Sequence, residues 1–167
     1  MDEAEERIFR DFVAARSPAL LRSAYLLTGD RDRAEDLLQT ALTKTYVAWP
    51  RIRDVASIEG YVRRTMTTTA TSWWRRHRER PSAALPERGV DQLGNQLERD
   101  ALWEHVRALP AKQRAVLVLR YYEGLSEGEI AELMRISRGT VKSHTSRALA
   151  ALRRRLEEES TEGAMTP

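Results

Sequence analysis

Residues able to make or break bonds are sparse in this chain, and they are badly placed for catalysis. His77, His105 and His144 are its only imidazoles, and none stands where a carboxylate would share its helix face. Cysteine is absent, which removes disulfides, thiolate metal sites and cysteine nucleophiles. No glycine-rich phosphate loop follows a strand pattern. The chemistry that remains is recognition by arginine and lysine. Residues 135–155 carry seven basic side chains, Arg135, Arg138, Lys142, Arg147, Arg153, Arg154 and Arg155, and no acid. Residues 60–80 carry six arginines against the single acid Glu79. Acidic runs stand at both ends of the chain, Asp2 to Glu6 and Glu157 to Glu162. Two basic blocks in a chain of net charge only +3 point to a polyanion touched at two places.

The elements that must position these blocks are helical. The 41% apolar content suffices for cores, and few β-branched runs interrupt the 3.6-residue periodicity. We expect an all-α chain of two small domains. Pro81, Pro86, Gly89 and Gly94 punctuate residues 81–95, which read as a flexible linker. Residues 5–80 form the first unit and residues 96–157 the second, with residues 158–167 read as a disordered tail. No apolar run is long enough to span a bilayer, and the acidic N-terminus is unlike a signal peptide, so we expect no membrane insertion and a cytoplasmic location.

In the first unit, Ile8, Phe9, Phe12 and Val13 mark one helix, and Pro18 is read as opening the next. Thr28-Gly29-Asp30 stops that helix and caps the following one, whose buried stripe is Ala34, Leu37, Leu38, Ala41, Leu42 and Thr45. Its opposite face shows Glu35, Asp36, Gln39, Thr40, Thr43 and Lys44, a pattern that fits plain solvation as well as binding. In the last helix, Val62, Met66, Thr69 and Trp73 face inward. The stripe Thr67, Thr71, Trp74 and Arg78 is displaced by about 100° and should lie at the surface. Trp74 with Thr67, Thr68, Thr71, Arg75 and Arg78 offers hydroxyls, an indole and guanidinia suited to phosphates and unstacked bases. Packing of Trp74 on a neighbouring helix fits the same spacing.

The second unit carries the sharper pattern. Pro110 opens a helix burying Ala115, Val116, Leu119 and Tyr122, and Gly124 ends it. Ser126 and Glu129 form a capping box ahead of a short helix burying Ile130, Ala131 and Met134. After a tight turn at Arg135-Ile136, Ser137 caps a longer helix with Val141, Ala148, Leu149, Leu152 and Leu156 inside. This is a helix-turn-helix, and its second helix exposes Arg138, Lys142, Ser143, Thr145, Ser146 and Arg147, donors long enough for base edges and phosphates in a major groove.

These residues are familiar as a set. Leu109-Pro-Ala-Lys-Gln-Arg-Ala-Val-Leu-Val-Leu-Arg-Tyr-Tyr122, Leu125-Ser126, Glu129-Ile-Ala131 and Gly139-Thr-Val-Lys-Ser143 with Arg147-Ala148 resemble the −35-reading domain of extracytoplasmic-function (ECF) sigma factors. Ala34-Glu-Asp-Leu-Leu-Gln39 resembles their polymerase-binding helix. Tyr61-Val-Arg-Arg64 with Trp73-Trp-Arg-Arg76 resembles the −10-reading helix of actinobacterial members, particularly the SigE family. The matches run in order along nearly the whole chain.

The resemblance implies a non-catalytic subunit without a cofactor or metal. It would dock on the RNA polymerase β′ clamp through Glu35, Asp36, Gln39, Thr40 and Thr43, and on the β flap through the second unit. Promoter DNA would meet Arg63, Arg64 and the Thr/Trp/Arg surface at −10, with residues 49–58 helping to capture a flipped base. Thr140, Lys142, Ser143 and Arg147 would meet it at −35. An anti-sigma factor is a further partner that the resemblance allows. Two positions depart from the family pattern: Arg135 stands where glycine is usual in the turn, and Thr68 where asparagine is common. A response-regulator-type repressor shares the Gly139-Thr-Val-Lys-Ser-His144 motif, but needs an upstream α/β domain that the helical first 80 residues do not provide. An enzyme is the least supported reading.

Overall fold

The computed structural model describes residues 1–52, 54–76 and 101–165. The linker residues 81–95 and Arg78 lie outside that set. The chain divides into two compact units, Met1–Pro86 and Glu87–Pro167, and no strand occurs among the described residues.

Three helices build the first unit: α1 (Glu3–Thr28), α2 (Arg31–Ala48) and α3 (Ile58–Arg76). Single 3₁₀ turns at Trp49–Arg51 and Val55–Ser57 occupy the loop between α2 and α3. Asp2 starts α1 through a reciprocal capping box with Glu5, at 2.8 and 2.9 Å, a start that the acidic run had concealed. One helix then replaces the two expected around Pro18. Proline removes a single hydrogen bond, to the Ala14 carbonyl, and Ala14 and Pro18 are both exposed, so water can satisfy that oxygen. Gly29 ends α1 at φ 72°, a left-handed conformation that glycine adopts without strain, and its N–H donates to the Tyr25 carbonyl. Asp30 caps α2, accepting from the Asp32 N–H.

The first core joins Leu20, Ala24 and Leu27 of α1 to Ala34, Leu37 and Ala41 of α2 and to Ile58, Val62, Met66 and Ala70 of α3. Leu42, expected inside, is only half-buried. Across α1 and α3, Arg16 grips Glu59 with two bonds of 2.7 and 2.9 Å, and Arg63 reaches the same carboxylate at 3.0 Å. The Arg16 hydrogen bonds, with a further contribution from Arg63, hold the Glu59 carboxyl below its ordinary pKa.

The second unit contains α4 (Ala101–Arg107), α5 (Ala111–Leu117) continued by a π-helical turn (Val118–Tyr122), α6 (Glu127–Met134) and α7 (Arg138–Met165). Val116, Leu119, Ile130, Met134 and Val141 are almost fully enclosed. Leu109, Leu117, Ala148 and Leu152 form a neighbouring cluster. Tyr122 is not in this core and is 50% exposed, because the π turn widens the helix and moves that position off the α-helical phase. Leu149 and Leu156 are exposed as well, since the shorter helices cover only the side of α7 bearing Val141, Ala148 and Leu152. The supposed tail is helical through Met165. Arg153, Arg154 and Arg155 stand four residues before Glu157, Glu158 and Glu159, placing opposite charges on shared faces. Glu159 also approaches Nε2 of the buried His105 to 2.9 Å without the alignment of a hydrogen bond.

Candidate nucleic-acid and polymerase surfaces

The turn before α7 is tightly specified. Ser126 accepts from the Glu129 N–H at 3.1 Å while Glu129 accepts from the Ser126 N–H at 3.2 Å, fixing the start of α6. Its end is a Schellman motif in which the Ile136 N–H donates to the Ala131 carbonyl. Arg135 occupies the glycine position of that motif at φ 54°, ψ 48°, a conformation costing a residue with a Cβ roughly 1–2 kcal/mol. Ser137 then caps α7, accepting from the Thr140 N–H at 3.0 Å.

From this start α7 presents Arg138, Lys142, Ser143, Ser146 and Arg147 to solvent, while Val141 and Ala148 face the core. Thr140 and Thr145 are half-buried. The Thr140 hydroxyl meets Ser137 Oγ at 2.9 Å, and the Thr145 hydroxyl donates to the Val141 carbonyl at 2.8 Å, so both serve the fold first. Arg138 lays its guanidinium over Gly128, where an added Cβ would lie 2.6 Å from Nη2. Lys142 stands 4.0 Å from Glu127 in an exposed pair of little energetic weight. His144 is half-buried, and burial first, then Lys112 and Arg147, push its pKa below the ordinary value. The positive field of this face therefore comes from its arginines and lysine.

On α3 the expected DNA surface is only partly exposed. Thr67 and Thr71 are buried, 5% and 4% exposed, against the expectation of a surface stripe. Their hydroxyls donate to the carbonyls of Arg63 and Thr67, which satisfies them inside the fold and lets the buried arc of α3 widen. Arg63 is half-buried and held by Glu59 and by Ser23 Oγ at 2.6 Å, so it braces the helices. Arg64, Thr68 and Arg75 are exposed. Trp73 and Trp74 do not divide into core and surface: both are half-buried and line one cleft of about 300 Å³ with Thr28, Arg33, Asp36 and Arg76.

That cleft splits the polar face of α2. Asp36 belongs to it, whereas Glu35, Gln39 and Thr43 line a second, largely apolar depression of about 400 Å³ with Phe9, Leu21, Leu38, Leu42 and Tyr46. Thr40 is half-buried. The apolar depression escaped the sequence reading, although Tyr46, off the buried stripe, was its signal. Phe9 supports it through edge-to-face contacts with Tyr46 and Trp49, centroids 5.4 and 5.7 Å apart.

Residues 12–80 match the family model of sigma-70 region 2, and residues 99–152 that of sigma-70 region 4. The chain is 44% identical over 160 residues to the RNA polymerase sigma-E factor of Streptomyces avermitilis, covering 94% of this chain and 89% of the relative. It is 30% identical over 166 residues to the ECF RNA polymerase sigma factor SigL of Mycobacterium tuberculosis, covering 93% and 92%. Among solved structures, the sigma factor RpoE of Bartonella quintana, crystallised with the anti-sigma factor NepR, shares the fold with a TM-score of 0.59 at 24% identity, over 89% of this chain and 96% of that one. With its capped helix-turn-helix and exposed basic face, these matches make the chain a member of the sigma-70 family, in its ECF branch and of the actinobacterial SigE type.

Proposed function

We propose that the protein is a promoter-specificity subunit of RNA polymerase, non-catalytic and cytoplasmic. The observation carrying this reading is the face of α7, where Arg138, Lys142, Ser143, Ser146 and Arg147 stand together on a rigidly capped helix. That face reads the −35 element in the major groove. Arg64, Thr68, Trp74 and Arg75 along α3, with the 49–58 loop, meet the −10 element and help open it. The depression rimmed by Glu35, Gln39 and Thr43 receives the β′ clamp, with Asp36 and Thr40 on its flank, and the second unit binds the β flap. Apolar side chains give such a docking site affinity, and the polar rim sets its register. An anti-sigma factor would act by covering these surfaces.

In vitro transcription with core polymerase, followed by sequencing of transcript 5′ ends, tests the proposal. Starts clustered downstream of one shared pair of −35 and −10 sequences are the expected result. Unaltered start sites with and without the protein would overturn it. Among the described residues no helix is long and apolar enough to cross a membrane.

A further inference from the structure

Among the described residues Arg135 is the one non-glycine residue at positive φ. Its position in the Schellman turn is one where glycine serves the backbone better than any side chain with a Cβ. No polar side-chain contact offsets that cost among the described residues. Arg135 is exposed, and no ion pair or side-chain hydrogen bond holds its guanidinium among the described residues. Glu132, one turn earlier, accepts the Arg135 backbone N–H on its carbonyl at 3.4 Å. A strained residue whose guanidinium has no side-chain partner in the fold points to a contact made outside it. Arg135 also stands three residues before Arg138, where the chain enters the recognition helix, and opens a 21-residue stretch, residues 135–155, without an acid.

We propose that Arg135 is a DNA-backbone contact, binding a phosphate at the edge of the groove that α7 enters. This rests on the −35 reading of α7. The phosphate fixes the depth and register of the helix without reading a base, so its contribution is independent of sequence and sensitive to salt. A cation at the end of α6 also meets the negative pole of that helix, but such an interaction acts on folding stability and leaves the salt dependence of DNA binding unchanged.

The test uses the full chain assembled with core polymerase on a promoter fragment, with Arg135→Gly, Arg135→Asn and Arg135→Lys beside the wild type. Glycine and asparagine both tolerate the left-handed backbone, so neither confuses loss of charge with loss of the turn. Arg135→Gly should raise the melting temperature of the second unit by several degrees, about 4–8 °C per kcal/mol of strain relieved. The same change should reduce the slope of log K against log salt by about 0.9, which from 1 M down to 0.15 M salt amounts to roughly fivefold weaker binding. Arg135→Asn should lose the same slope, and Arg135→Lys should keep it. Wild-type slope and affinity in the Gly and Asn variants would overturn the proposal while leaving the −35 reading intact. Absence of promoter-selective binding by the wild-type assembly would remove that reading, and this inference with it.

Discussion

The indole pair at the end of α3 provides a direct test of the cleft it lines. Truncating a fully buried tryptophan to alanine costs roughly 3–5 kcal/mol. Trp73 and Trp74 are each half-buried in the same cleft, so each should lose about half of that, roughly 2 kcal/mol. At about 4–8 °C per kcal/mol for a unit of this size, Trp73→Ala and Trp74→Ala should each lower the first unfolding transition by about 8–16 °C. The essential expectation is parity. Calorimetry on the full chain measures it, and permanganate reactivity of the −10 region measures the functional half. If the cleft serves promoter opening, Trp74→Phe should retain stability better than Trp74→Ala, and a pre-melted template should rescue both. A Trp73→Ala cost exceeding that of Trp74→Ala by 2 kcal/mol or more would refute the shared cleft and restore the division into core and surface that spacing suggested.

Other surfaces give separable outcomes. Leu42→Glu should abolish co-purification with core polymerase while costing about 1–2 kcal/mol of stability, since Leu42 is half-buried in the apolar depression. Lys142→Ala and Arg147→Ala should weaken −35-dependent transcription, at least one relaxing base preference by roughly 1–3 kcal/mol, whereas Arg154→Ala, two turns further along α7, should do neither. Because burial holds the folded His144 pKa below its ordinary value of 6.5, the unfolded chain protonates first as pH falls. Stability of the second unit should therefore decline below about pH 6.5, and His144→Gln should flatten that decline in melting curves. Glu59 likewise has a folded pKa below its ordinary value of 4.5, so the Arg16–Glu59–Arg63 brace is fully present above that pH and lost as pH falls through the depressed value. Glu59→Gln should remove that part of the acid transition followed by circular dichroism.

Local chemistry was legible wherever one residue type has one structural use. Asp30, Ser126 and Ser137 cap the helices their types announce, and Gly29 and Gly124 adopt the positive φ that ends helices. Tertiary context overrode the rest. Pro18 marks a helix start only where its lost hydrogen bond would be buried, and here it faces water. Tyr122 sits in phase with Ala115 and Leu119 on an ideal helix, but the π turn between them changes the count. Threonines 67 and 71 read as surface residues because hydroxyls usually seek water. In α3 they donate to carbonyls four residues back, after which only a methyl and a satisfied oxygen remain for the core to accept. Periodicity cannot anticipate that exchange, since it scores the residue type and not the bond it makes.

The polar face of α2 illustrates the same limit with a consequence for function. As a helical wheel, Glu35, Asp36, Gln39, Thr40 and Thr43 are one solvated arc, and a double substitution at Asp36 and Gln39 looks like a probe of one interface. The neighbouring helices divide that arc. Phe9 of α1 with Tyr46 raises an apolar wall beside Glu35, Gln39 and Thr43, while the indoles of α3 close around Asp36 and Arg33. Two stripes about 100° apart on one helix thus face chemically different depressions, the first largely apolar and uncharged beyond Glu35, the second aromatic and lined by both signs of charge. A partner helix bearing apolar knobs is complementary to the first, whereas the second suits a planar or anionic group. Gln39→Ala and Asp36→Ala should consequently be made singly. Gln39→Ala should weaken polymerase association measured by pull-down with little effect on opening of a bound promoter. Asp36→Ala should act in the reverse proportion, and equal loss of both activities from each variant would show that the arc functions as one surface after all.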